Sequence, residues 1–101
     1  MAIDLFCYVT ETSDAVRKTL DAIQETHQGL FFERFLISEV HAVTPVEEDI
    51  ALDFGLIARC LFLVRLNEKE AADLISTVTY ILKVEFGASK LIVLHEGETL
   101  I

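Results

Sequence analysis

Leu56-Ile57-Ala58-Arg59-Cys60-Leu61-Phe62-Leu63-Val64-Arg65-Leu66 is the stretch on which the fold turns. In an extended chain Leu56, Ala58, Cys60, Phe62 and Val64 fall on one side, and Ile57, Arg59, Leu61, Leu63 and Arg65 on the other. Both sides are largely apolar, which predicts a central strand over residues 56–66.

Moving outward, residues 2–10 alternate Ile3, Leu5, Cys7 and Val9 against Asp4, Phe6, Tyr8 and Thr10, a second strand pattern. Thr12 and Ser13 are candidate helix caps, and Glu11 and Asp14 suit the positive end of a helix dipole. Val16, Leu20, Ile23 and His27 then recur at helical spacing, with Gly29 as the stop. Alternation favours a strand over residues 33–43. Thr44, Pro45 and Glu47 combine a capping hydroxyl, a proline at the first helical position and a carboxylate three residues after the cap. They predict a short acidic helix over 45–54 ending at Gly55. Beyond the central strand, Asn67 and Glu70 form another capping pattern, with Ala71, Leu74, Ile75, Val78 and Leu82 as a stripe running to about residue 85. Gly87 closes that helix, Lys90 to His95 reads as a last strand, and the remainder as a polar tail.

The order β-α-β-(short α)-β-α-β predicts one α+β domain over residues 1–101. It fits the ferredoxin-like split β-α-β plan, with a four-stranded antiparallel sheet in spatial order 4-1-3-2 and two main helices on one face. Ile3, Leu5, Val9, Leu56, Phe62 and Val64 would face those helices, with Cys7 and Cys60 among them. Phe6, Tyr8, Ile57, Leu61 and Leu63 would face away with no layer of their own. Burying one such side chain is worth roughly 1.5–3 kcal/mol, so these five are the expected interface, most simply of an isologous homodimer.

Composition bounds the function. Within 101 residues the hydrophobic fraction is 52% and the mean hydropathy +0.46, high for one small domain, so some apolar surface is expected to be covered by a partner. Seventeen acids against eight lysines and arginines give a formal net charge of −9. Such a field repels nucleic acid and anionic membranes and attracts basic proteins. The few cations are scattered among acids, unlike a nucleic-acid-binding patch. Two cysteines inside apolar runs suit a reducing, cytoplasmic setting. No signal peptide or membrane span is read from the sequence.

Few residues suggest chemistry. His27, His41 and His95 lack short ligand spacing and no paired-cysteine motif occurs, so neither metal nor cofactor is expected. Cys7 with His41 or His95 as base would need an open thiol, whereas both cysteines alternate with core residues. Gly29, Gly55, Gly87 and Gly97 are isolated, and Thr10-Glu11-Thr12-Ser13-Asp14 puts acids where a phosphate loop would follow the first strand. The reading is of a non-enzyme. The dense group Glu47, Glu48, Asp49 and Asp53 remains. It fits an ordinary solvated face, and also a negative surface that orients a basic protein partner.

In size, acidity, absence of motifs and this Glu47 to Asp53 cluster, the chain resembles the small acidic immunity proteins of bacterial toxin systems. The resemblance implies a module that neutralises a basic, nuclease-type toxin by direct binding. Those families share no single fold, so it assigns no residue roles. The alternatives are a ferredoxin-like dimer that binds a small molecule or performs acid and base chemistry through Tyr8, His41 or Arg59, and a structural subunit of a larger assembly. Salt separates the first two, since only docking on charge weakens steeply with ionic strength.

Overall fold

The computed structural model describes residues 3–31, 35–66 and 74–101. Its centre is β1 (Ile3–Val9) paired antiparallel with β4 (Cys60–Leu66) along their whole lengths, from Ile3 opposite Leu66 to Val9 opposite Cys60. β5 (Leu91–His95) flanks β1 on its other side, Leu5 opposite His95 and Val9 opposite Leu91. β2 (Phe35–Ile37) and β3 (His41–Ala42) both pair with β4, and β6 (Thr99–Leu100) adds to β5. The result is a six-stranded antiparallel sheet in the order β2-β4-β1-β5-β6, with β3 beside β4 off this path. The fold is α+β.

One face is covered by α1 (Ser13–Thr26) and α4 (Ile75–Phe86). Thr12 caps α1, its Oγ1 accepting from Ala15 N at 3.4 Å. Val16, Leu20 and Ile23 come round to the sheet as their spacing predicts. From α4, Val78, Leu82 and Phe86 join Leu5, Cys7, Val9, Phe62 and Val64 in the main core. Both cysteines are buried free thiols.

Several boundaries differ from the pattern reading. His27 caps α1 through its N–H to Ile23 O, and Gly29 does not stop that helix but lies in a short α2 (Gln28–Phe31). The strand expected over 33–43 is broken at Ser38. There Ser38 Oγ accepts from Leu63 N at 2.8 Å, taking the place of a backbone carbonyl, and the ladder resumes only at His41. Residues 56–59 alternate in burial, Leu56 and Ala58 buried, Ile57 and Arg59 exposed, but the ladder starts at Cys60. Leu56 and Ala58 pack in a cluster apart from Cys60, Phe62 and Val64, so Leu56 does not face α1 and α4 as the alternation predicts. Asn67, Glu70 and Ala71 lie outside the described residues. Gly87 does end α4, at φ +94°. The polar tail instead turns back as a hairpin: Glu96 and Gly97 both have positive φ, 56° and 76°, the signature of a primed turn whose twist suits two antiparallel strands.

The largest departure concerns the sheet's second face. α3 (Pro45–Asp53) lies across part of it. Ile50, Ala51 and the following Leu56 and Ala58 pack with Tyr8, Leu61 and Leu94 in a second apolar cluster, to which Phe6 and Ile92 also belong. The sheet is therefore covered on both sides over this half, rather than carrying helices on one face only.

Candidate functional site

α3 is fixed at both ends by local chemistry. At its start, Thr44 Oγ1 accepts from Glu47 N at 3.3 Å while Thr44 N donates to Glu47 Oε1 at 2.9 Å, a closed capping box ahead of Pro45. At its end, Gly55 takes φ +84°, Leu56 N donates to Ala51 O at 3.1 Å and Gly55 N to Leu52 O at 2.9 Å. These two bonds form a Schellman motif, and the contact that accompanies it is Leu56 against Ala51 within the second cluster.

With both ends fixed, successive residues around the helix have set directions. Ala51 is fully buried and Ile50 half-buried on the inner side. Glu48, Asp49, Leu52 and Asp53 are exposed on the outer side, together with Val46. Of the four acids singled out in the sequence, three thus share an exposed face and the fourth does not. Glu47 is half-buried; besides Thr44, its carboxylate meets His41 Nε2 at 3.4 Å. Burial pushes the Glu47 carboxyl up, but the bonds from Thr44 and the nearby His41 outweigh it and hold the group below its usual range. Through these contacts it ties β3 to the start of α3.

The five residues expected to stand uncovered divide as well. Tyr8 and Leu61 are only 2% exposed, in a cluster with Ile50 and Ala51 of α3, the flanking Val43, and Leu56 and Ala58 after the helix. That corrects the expectation of a bare face, and with it the premise on which a homodimer through all five was built. Phe6 and Leu63 are half-buried, and Ile57, placed beyond the ladder, is 72% exposed. Past the edge of the α3 roof the face does remain open, as a shallow cleft of about 430 Å³ lined by Asp4, Leu36, Ile37, Ser38, Leu63 and Arg65.

Tyr8, Leu61 and His41 stand in a row across β1, β4 and β3. Burial, reinforced by the negative charge of Glu47, raises the Tyr8 hydroxyl above its ordinary range, so it keeps its proton at neutral pH. Among the described residues no three histidines, cysteines or acids converge on a metal position, and no helix is long and apolar enough to cross a membrane.

Sequence reasoning missed that the acids of α3 are interspersed with exposed apolar side chains: Val46 at 69%, Leu52 at 56% and Phe54 at 36%, followed by Ile57. The signal was present in the spacing, since Leu52 lies four residues after Glu48 and therefore on the same side of a helix.

The chain is similar to known proteins over nearly its whole length. A family model described as CDI System Immunity Component matches residues 1–99. The chain is 41% identical to immunity protein CdiI-2 of Burkholderia pseudomallei (strain 1026b) over 98 residues, 97% of each protein. Its fold matches a chain in the solved CdiA-CT/CdiI toxin and immunity complex from Burkholderia pseudomallei with a TM-score of 0.93 and 39% identity, covering 97% of this chain and 95% of that one.

Proposed function

The chain belongs to the CDI System Immunity Component family, and from that premise we propose that it neutralises a toxin domain by binding it directly, as a stoichiometric inhibitor and not as a catalyst. The observation that carries this reading is the near full-length likeness to an immunity protein and to a chain of a toxin and immunity complex. The outer face of α3, with Glu48, Asp49 and Asp53, is the docking surface. A net charge of −9 with three acids on one rigid exposed face attracts a basic partner over a distance and orients it on approach. A toxin that acts on nucleic acid needs a cationic surface for its own substrate, and this face complements it.

We read the scaffold as the ferredoxin-like plan in elaborated form: β5-β1-β4-β2 as its four-stranded centre, α1 and α4 as its two helices, and β3, β6 and α3 as additions. The strand order supports this. The buried thiols of Cys7 and Cys60 suit the reducing cytoplasm as the place of action.

Co-purification with a CdiA-CT toxin domain from the chain's own genome, followed by titration calorimetry, tests the reading. A complex of equal stoichiometry, weakened by salt and by the triple change Glu48→Lys, Asp49→Lys and Asp53→Lys, is expected. Absence of a complex with the unaltered chain at low salt would overturn it.

A further inference from the structure

Charge alone does not account for the outer face of α3. Among the described residues nine large apolar side chains are exposed, and four of them, Val46, Leu52, Phe54 and Ile57, fall in the stretch that also carries Glu47, Glu48, Asp49 and Asp53. That stretch contains no lysine or arginine. Single exposed apolar residues are ordinary on any surface. Four within residues 46–57, Val46 and Leu52 on α3 and Phe54 and Ile57 just after it, among charges of one sign, are a different pattern and mark a place where apolar area is covered by something else.

Resting on the toxin-binding reading above, we infer that Leu52 and Ile57 are the apolar anchors of the complex, and that the toxin receives them in an apolar depression ringed by lysine or arginine. The argument for that occupant is complementarity. A partner surface that is apolar throughout would leave Glu48, Asp49 and Asp53 facing an uncharged wall, at a desolvation cost. A surface that is cationic throughout would bury Leu52 and Ile57 against charges. Only an apolar centre with a cationic rim satisfies both sets of groups, and it reproduces the division found in protein interfaces, where a dry centre carries the energy and a polar rim excludes water. The rigidity of α3 favours the same assignment. Its capping box and Schellman motif hold the helix in place before binding, so little ordering cost falls on the encounter.

The two sets of residues then control different rates. Long-range charge sets how fast the partners meet, and desolvated apolar contacts set how long they stay. Surface plasmon resonance against the CdiA-CT domain, at low and physiological salt, separates them. Leu52→Ser and Ile57→Ser are each expected to raise the dissociation rate about tenfold or more, with the association rate and its salt dependence unchanged. The triple lysine variant is expected to slow association and flatten the salt dependence. Both serine variants replace exposed side chains, and circular dichroism with thermal melting checks that they fold as the parent does. If the toxin binds the parent chain but both serine variants dissociate at its rate, the anchors lie elsewhere and this inference falls while the toxin-binding reading stands. If the parent chain binds no toxin, it is that reading which fails.

Discussion

Glu47 and Thr44 satisfy one another: each backbone N–H donates to the other's side-chain oxygen, at 2.9 Å from Thr44 and 3.3 Å from Glu47. Glu47 therefore belongs to the framework of α3, while Glu48, next in sequence, points to solvent. Glu47→Ala is expected to lower stability by about 1 kcal/mol through the lost cap. Glu48→Ala, away from any such bond, stays within about 0.5 kcal/mol and acts on toxin association instead. Urea unfolding of the two variants beside a binding measurement distinguishes the roles; equal loss of stability in both would contradict the division.

Leu61 is a core residue of the face that α3 covers. Leu61→Ala is expected to cost about 2–5 kcal/mol, the range for emptying a buried leucine position, whereas Leu63→Ala, at a half-buried position on the same strand, costs less. Urea midpoints of the two variants decide the order. A Leu61 variant as stable as the parent would mean that α3 does not seal this half of the sheet in solution.

The ends of α3 were legible because they are written in adjacent residues: Thr44, Pro45 and Glu47 at one end, Gly55 at the other. What it covers was not. Its inward stripe consists of little more than Ile50 and Ala51, too short and too small a pattern to announce a helix that roofs a sheet. Tyr8 and Leu61 carry no mark of which layer lies above them, since alternation assigns a side chain to a face but not a cover to that face. The main core was readable for the converse reason, since Val16, Leu20 and Ile23 make a stripe wide enough to require a sheet opposite. Ser38 shows a third limit: a serine in a strand pattern looks unremarkable until its hydroxyl takes a ladder hydrogen bond from Leu63. Glu47, Glu48, Asp49 and Asp53 were read as one acidic group, but Leu52 was not read as sharing the exposed side of Glu48, Asp49 and Asp53, and Ile57 was assigned to a dimer face instead.

Stability should depend on acidification through Asp4. Arg65 donates to its two oxygens at 2.9 and 3.2 Å and holds the carboxyl below its usual range, against an opposing push from burial. A carboxyl whose folded pKa lies below its unfolded one stabilises the fold above the unfolded value, roughly 4. That contribution is lost as pH falls through the lowered folded value. Asp4→Asn removes it. The gap in urea midpoint between parent and variant is expected to be steady near neutrality and to close in acid, and to be small throughout because the pair is partly solvated. A gap that widened on acidification would carry the wrong sign for this pair.

Both thiols should be inert in the folded protein. Burial raises the Cys7 thiol far above its ordinary range. Cys60 is raised by burial and by the charge of Glu11, against a smaller opposing influence of Arg17, and its Sγ lies 3.2 Å from Glu11 O. A thiol-reactive chromophore at mildly alkaline pH is expected to label neither residue until urea is added, and both afterwards. Rapid labelling of the native chain would show that one of the two is open to solvent.

The inward and outward stripes of α3 share no residue. Ile50 and Ala51 hold the helix to the sheet, while Glu48, Asp49, Leu52 and Asp53 take no part in that attachment. Substitutions on the outer stripe are therefore free to accumulate without unsettling the scaffold, so the surface that α3 turns to solvent can diverge among related chains while the packing beneath it is inherited unchanged.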